Sequence, residues 1–550
     1  MLKDYFEVPN KPAIKSGNVL SCDFTDHETF IPQPLDFTRN TLATYVDCNG
    51  IIKVSGVTDT NLSPPEDFAN DFSSNPTSGT AVNNPDGTIT FTNSSSSGAN
   101  VELQNRNITT TKTYQIKFTI SNYVQGTFRM SVGNQITPSL SANGTYVFYL
   151  TYTSGLNRNY FYTGNSTLTV SDISVKEVDL NTPRIDYLTE IGKAKELQKP
   201  SLLLEPQSTN LITYSENFSQ WDSIGSTQTS TPNVNPIDST AYKIESTVNT
   251  SSRIFISGIM TSTNTYSSSY LVKATSNSPQ YLGFACISNT VPDVLYNFAN
   301  DQFEDNTISG NAAKCESISM ANNWKLLKVP VHSSVNNTRL NIYQGSKSGN
   351  QLVGTIGQSY FIKLAQLEEL SYCTSYIPTS GSTVTRNVEL CDNAGQRGVF
   401  NNEEGTIYVE FTELGFANPN QTSIVVSQEN SSNNRVLLFR GGGSNWSIQI
   451  RAAGVNAVSH SIGLTTTETL NKFAKVAVRY KSGEITGFVN GSQSFTDSST
   501  FTFNGNLFKF GFIPYDSAVN NNFYGRVKDV KVFRRTLTDS EMAELTNNIT

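Results

Sequence analysis

Three observations predict an all-β protein made of tandem β-sandwich (jelly-roll) modules: a composition that favours strands and turns, a bulged-strand pattern that recurs three times, and a C-terminal third of short alternating strands. The 550 residues are 37% hydrophobic, 11% aromatic and 15% charged. Disordered chains are charge-rich and aromatic-poor, so this one is expected to fold. Thr, Tyr, Phe and Val suit strands, Ser, Asn and Gly suit the turns between them, and good helix formers are scarce. One hydrophobic core rarely serves this length, so three or four domains are expected.

The recurring pattern lies at LTVSDISVKEV (168 to 178), IKLAQLEEL (362 to 370) and GRVKDVKVFRR (525 to 535). Val170, Ile173 and Val175 carry it in the first copy, Leu364 and Leu367 in the second, and Val527, Val530 and Val532 in the third. Alternation of period two marks a half-buried strand, and an offset of three inside it marks a β-bulge. Each copy therefore predicts one bent strand that closes its own module.

Further strands follow from alternation. KTYQIKFTISNY at 112 to 123 directs Tyr114, Ile116, Phe118 and Ile120 inward, and TYVFYLTYT at 145 to 153 directs Tyr146, Phe148 and Leu150. Toward the C-terminus TIYVEFTEL, RVLLFR, WSIQIRA, FAKVAVRY, ITGFVNG and LFKFGFI succeed one another across turn residues, which specifies a sandwich or barrel. Asn490-Gly491 is a hairpin turn pair. Two helices are expected, at 184 to 199 ahead of Pro200 and at 538 to 548, which begins with Thr538 or Asp539 as N-cap and Glu541 near the third helical position.

Charge and cysteine usage exclude several classes. A net charge of −7 leaves no basic stripe for a phosphate backbone, so nucleic acid is not an expected partner. The opening MLKDYFEVPNKPAIK has no apolar signal stretch, and no run approaches the ~20 apolar residues of a membrane span, so no membrane insertion is expected. Cys22, Cys48, Cys286, Cys315, Cys373 and Cys391 are dispersed without CxxC spacing and read as reduced, mostly buried small residues.

The segments between strands carry a resemblance. FTRNTLATYVDCNGIIKV at 37 to 54, TPRIDYLTEIGK at 182 to 193 and PSLLLEPQSTNLITYSENFSQW at 200 to 221 resemble a linker signature of bacteriophage head-spike and tail fibre proteins. AQLEELSYCTSYIPTSGSTVTRNVE at 365 to 389 resembles the phrase that closes the next module in those proteins. Residues 396 to 550 resemble the concanavalin A-like, laminin-G-type sandwich, on Gly525, Val527, Asp529, Val530, Val532, Phe533, Arg535, Leu537, Thr538 and Glu541. Residues 59 to 180 are similar to carbohydrate-binding jelly rolls.

The resemblance implies five parts: a virion-attachment region at 1–58, an inserted carbohydrate-binding-like sandwich at 59–180, a linker at 181–211, a second sandwich at 212–390 and a concanavalin A/laminin-G-like sandwich at 391–550. It implies a virion-located fibre or spike subunit, a homotrimer, contact with other virion proteins and adhesion to host surface polysaccharide without catalysis. A glycan depolymerase and a purely structural head decoration remain as alternatives.

No reactive centre is marked. Glycosidases need two carboxylates across a cleft, whereas the doublets Glu368-Glu369 and Glu403-Glu404 point to opposite strand faces and read as solvated surface. His27, His332 and His460 fall in different modules, and no GxSxG elbow or GK[ST] phosphate loop accompanies Gly441-Gly442-Gly443. Sugar binding needs aromatic faces with nearby amides and hydroxyls. Trp446 and Tyr515 are the candidate carbohydrate-binding residues, with core packing as the other reading of Trp446; Trp221 and Trp324 read as core anchors. No cofactor is expected; calcium is known in such relatives, and Asp516 or Asp529 offers oxygen, but no ligand set can be assigned.

Overall fold

The computed structural model describes residues 18–23, 36–62, 72–95, 101–103, 108–154, 159–231, 241–261, 264–286, 291–333, 339–394, 400–414, 422–428, 433–440, 445–469, 472–513 and 522–547. Over these the chain is all β, in three sandwiches with separate cores.

The first sandwich hangs on two twenty-residue antiparallel strands, Thr113–Val132 and Asn159–Val178. Both are irregular near the middle, with Asn122, Gly126 and Asn165 at positive φ. Each strand therefore bends and changes neighbours. The first half of one and second half of the other are flanked by Gly144–Thr151 and by Ile89–Ser95; the remaining halves are flanked by Gln135–Ile136 and by Val101–Leu103. Phe91, Phe118, Phe128 and Phe161 meet in the core between the halves. The chain enters and leaves side by side, Thr58 N donating to Glu177 O at 2.9 Å and Asp179 N to Gly56 O at 2.8 Å. Gly56 has φ 78°, and a Cβ there would lie 2.0 Å from Asp179 O, so only glycine permits this crossing.

In the second sandwich a sheet carrying Ser252–Ile256, Leu340–Ser348 and Tyr281–Ala285 faces one carrying Ala241–Ser246, Ser359–Glu368 and Thr265–Ala274. Trp221, Tyr270, Phe284 and Tyr296 fill the space between. Trp221 and Trp324 are both buried, as expected of core anchors.

The last sandwich sets a sheet containing Glu404–Glu413, Ala474–Lys481, Ile485–Val489 and Gly525–Phe533 against a second containing Thr422–Gln428, Arg435–Arg440, Asn445–Ala452, Val455–Thr465 and Leu507–Gly511. Its first sheet draws on distant sequence. Arg184–Asp186 pairs with Ser201–Leu204, which pairs with residues 525 to 527, while Asn18–Asp23 pairs with the other half of the same strand. Residues 181–211, expected as a linker, thus contribute two strands to this sheet.

All three repeats are bulged strands. The register breaks at Ser171/Ser174, between Lys363 and Gln366, and between Val527 and Asp529, and all the apolar residues that carry the pattern are buried. Of the two N-cap candidates, Thr538 caps helix Asp539–Thr546 and forms a capping box with Glu541, and Asn490 and Gly491, at φ 47° and 87°, turn the expected hairpin. The helix expected at 184 to 199 is corrected. Residues 184 to 186 are strand, Leu188–Glu190 and Lys195–Leu197 are single 3-10 turns, and Gly192 at φ 89° separates them. Pairing into the sheet outweighs the local helical propensity there.

Candidate functional site

The motif segments meet in a buried ionic hub. Strand Arg184–Asp186 and the residues after Ser201–Leu204 bring Arg184 and Glu205 together, short strand Val384–Arg386 supplies Arg386, and Glu389 and Arg39 arrive on either side. Arg184 Nε donates to Glu389 Oε1 at 2.8 Å and Nη2 to Glu389 Oε2, a bidentate fork, while Nη1 donates to Glu205 Oε2 at 2.8 Å. Arg39 Nη1 donates to Glu389 Oε1 at 2.9 Å, and Arg386 lies 2.9 Å from Glu205. All five side chains are at most 1% exposed.

Remaining oxygens are satisfied by neighbours. Ser375 N and Oγ donate to Glu205 at 2.8 and 2.6 Å, and Glu205 N donates to Glu389 at 2.9 Å. Around this centre Arg526 pairs with Asp186 and Lys528 with Glu190, tying the last sandwich to the same segments. Burial works against charge on Glu205, yet Arg386 and Arg184 hold its pKa well below the usual carboxylate range. Burial likewise opposes charge on Arg184, but Glu389 and Glu205 raise its pKa; Arg39, with less compensation, is lowered to about 10 by burial. A small cavity beside the hub, its walls mostly apolar (Val46, Ile52, Leu326 and Leu364) with Thr44, Asp186 and Ser375 among them, has room for a water molecule or two. Arg39 Nη2 and Arg386 Nε are left buried without a partner, but each of the five charges has an ion-pair partner and none is accessible, so they hold segments in place and the hub is a joint.

Trp446 is a core residue. Its ring is 0% exposed, packs on Phe411 with centroids 4.6 Å apart, and Nε1 donates to Glu413 Oε2 at 3.1 Å. It offers no face to a sugar. Glu413 also accepts from Arg440 Nε at 2.8 Å and Thr469 Oγ1 at 2.6 Å, which neutralises a carboxylate inside the sandwich. Alternation already carried this signal, since Trp446 shares parity with Ile448 and Ile450. Tyr515, Asp516, His27 and Gly441-Gly442-Gly443 lie outside the described residues, as does the side chain of His332.

The opposite parity gives the surface that sequence reasoning passed over. On the outer face of the five-stranded sheet, Arg435 sits opposite Arg451, Leu437 opposite Gln449, and Phe439 opposite Ser447; Ser459 and Ser461 extend the rows. Arg435 Nη2 donates to Gln449 Oε1 at 3.0 Å. Ser459 and Ser461 are exposed and Arg435, Phe439, Ser447, Gln449 and Arg451 half-buried. The array presents amide, hydroxyl and guanidinium groups around one ring, a set suited to sugar hydroxyls.

The acids are arranged for structure. Glu368, expected at the surface, is buried: it accepts from Ser208 Oγ at 2.6 Å and Thr374 N at 2.9 Å, while Glu369 alone faces solvent. Strand alternation turned one member of the doublet inward. Burial raises the pKa of Glu368 and of Glu216, the latter bonded to Tyr376 at 2.9 Å. His460 stacks on Phe495 with centroids 5.0 Å apart and pairs with Asp497, whose pKa falls to about 2 through hydrogen bonds from Ser499 and then His460. Asp529 is buried beside Lys531. Among the described residues no group of three or more His, Cys, Asp or Glu is placed to hold a metal ion.

Comparison with known proteins places residues 398–543 in register with a family model described as the concanavalin A-like lectin/glucanases superfamily. No curated protein matches the chain. Among solved structures it is similar to CBM40 of the Ruminococcus gnavus IT-sialidase bound to α2,3 sialyllactose, at 18% identity and TM-score 0.24, covering 28% of this chain and 94% of that one. Domain 4 of AbnA, a GH43 extracellular arabinanase from Geobacillus stearothermophilus in complex with arabinotriose, matches at 12% identity and TM-score 0.24, covering 32% and 81%. The Botulinum neurotoxin type G receptor binding domain matches at 16% and 0.22, covering 28% and 45%.

Proposed function

We propose that this chain is a fibre or spike subunit of a bacteriophage particle that adheres to host surface glycans without transforming them. The observation that carries the reading is the polar, ring-bearing outer face Arg435, Phe439, Ser447, Gln449 and Arg451 on a sandwich of the concanavalin A-like lectin type. The hub supports it, because a stiff joint holds each sandwich at a fixed station on a particle. Attachment falls to the N-terminal region 1–58, whose residues 36–54 already join the hub and its neighbours. Three copies assembled as a trimer multiply weak sites by raising effective concentration.

The test is binding of the purified chain and of Gln449→Ala and Arg451→Ala variants to immobilised host polysaccharide. We expect binding by the parent and at least tenfold weaker binding by the variants. No binding by the parent at any concentration, or equal binding by all three, overturns the reading. Incubation with the same polysaccharide is expected to release no reducing ends; release would favour the depolymerase. Particles lacking the subunit are expected to stay intact but adsorb poorly, whereas fragile particles would favour head decoration.

A further inference from the structure

The second sandwich carries a pair of unmatched cations on the outer face of its seven-stranded sheet. In strand Ser252–Ile256, Ile254 points into the core, so Arg253 and Phe255 point outward. In strand Leu340–Ser348, Leu340 and Ile342 are core residues, which sends Tyr343 outward opposite Arg253 and places Arg339 on the same side just ahead of the strand. The two guanidiniums meet at one ring. Arg339 Cζ lies 4.4 Å and Arg253 Cζ 5.7 Å from the centroid of Phe255, and Arg253 Cζ also lies 5.2 Å from the centroid of Tyr343. Each is fixed at one corner: Arg253 Nη1 donates to Tyr343 Oη at 2.7 Å, and Arg339 Nε donates to Ser257 Oγ at 3.2 Å.

Three observations separate this pair from ordinary stacking. Arg253 is only 8% exposed, and its Nε is buried with no hydrogen-bond partner. Neither arginine pairs with a carboxylate among the described residues, in a chain with more acids than bases. The neighbouring acids are directed elsewhere: Asp293 accepts from Thr307 Oγ1 at 3.3 Å, and Asp222, which opposes Phe255 from the edge strand Asp222–Ile224, is exposed to solvent. Two like charges held at one ring repel each other, and the aromatic face offsets only part of that cost. A water molecule would satisfy the Nε hydrogen but leave both charges uncompensated. An anion does both.

We propose that Arg253 and Arg339 form a phosphate-binding site on the second sandwich. Their remaining N–H groups are held in place before a ligand arrives, so little side-chain freedom is lost on binding. A carboxylate cancels one of the two charges, whereas a phosphate group carries about −1.5 to −2 near neutral pH and presents three acceptor oxygens, enough for a fork from each arginine. Ile224, 44% exposed and opposite Arg253, gives an apolar wall for the rest of a phosphorylated molecule. The site goes beyond glycan adhesion by the last sandwich and does not depend on it.

The experiment titrates the full chain with inorganic phosphate, glucose 6-phosphate and glucuronate at neutral pH, read by calorimetry. The parent is compared with Arg339→Gln, Arg253→Lys and Asp222→Asn, and thermal melts without ligand confirm that each variant folds. Expected are binding of a phosphate compound by the parent about tenfold tighter than glucuronate, weakening by about tenfold in Arg339→Gln and in Arg253→Lys, and tightening in Asp222→Asn, which removes the nearby negative charge. The melting temperature should rise with phosphate in the parent and stay in place in Arg339→Gln. Free phosphate bound as tightly as the ester identifies the ion itself as the occupant, and preference for the ester identifies a phosphate carried on a larger molecule; either supports the site. No binding of either by the parent, glucuronate bound equally well, or phosphate binding undiminished in Arg339→Gln overturns it. Should Arg253→Lys fail to fold, Arg339→Gln, at a half-buried position, still decides.

Discussion

The first and last sandwiches solve the same problem in opposite ways. Residues 57 to 178 supply every described strand of the first sandwich, and its core cluster draws only on its own residues. The last sandwich takes strands from 18 to 23, 184 to 186 and 201 to 204 into its main sheet, and Leu202 and Leu204 enter its core. A stretch of sequence that resembles a complete domain can thus have its sheet finished by segments hundreds of residues away. The ionic hub exists because those borrowed segments must be held in register.

Removing the borrowed strands gives the sharpest contrast. Residues 391–550 expressed alone should fail to fold cooperatively, because strand Gly525–Phe533 would lose its partners on one side, whereas 55–180 should give a sigmoidal melt. Circular dichroism of the two fragments decides it; a folded 391–550 would dissolve the contrast.

Next in size is Arg184→Met, which strands Glu389 and Glu205 without their shared cation. Breaking a buried pair from one side costs about 3 to 5 kcal/mol. Urea denaturation should show the second and last sandwiches destabilised by that amount and the first unchanged.

Acid should act the same way. A carboxylate whose folded pKa is depressed contributes stability above its unfolded value and loses it as pH falls, so Glu205 predicts weakening of the hub below about pH 4.5, its ordinary value. Glu368, raised by burial, acts in the opposite sense, its contribution being lost as pH rises. The Glu205 share is read as the flattening of the acid limb in Glu205→Gln.

Trp446→Phe keeps most of the ring but removes one donor to Glu413, at a cost of about 1 to 3 kcal/mol. Thr538→Ala, which deletes the cap of the final helix, should cost about 1 kcal/mol. Both losses should appear in the last sandwich and leave the melt of the first in place.

Local physics made much of the fold legible. Period-two alternation, the bulges at Asp172 and Leu364, the Asn490-Gly491 turn and the Thr538 capping box are written within a few neighbouring residues. The hub is not written that way. Arg184 and Glu389 are 205 positions apart, and isolated Arg and Glu read as solvated side chains until a partner removes their cost of burial. Their segments stood out as a recurring signature, but only three-dimensional pairing supplies the reason. For Trp446 the alternation carries the signal for core packing, the reading that stood beside the sugar-stacking one. The outer rows Arg435/Arg451 and Phe439/Ser447 needed the cross-strand register, which sequence spacing does not give.

Strand Gly525–Phe533 lies between the borrowed strands and Glu404–Glu413, so Asn18–Asp23 must wait for a segment made five hundred residues later before it gains its partner. The interval exceeds five hundred residues of synthesis, at roughly 5 to 20 residues per second. During it the edge of Asn18–Asp23 that Gly525–Phe533 covers stays open, so the main sheet of the last sandwich closes only once residue 533 has been made. A message truncated shortly before codon 525 would yield a product whose waiting edges are never covered, and cellular quality control could recognise it by that alone.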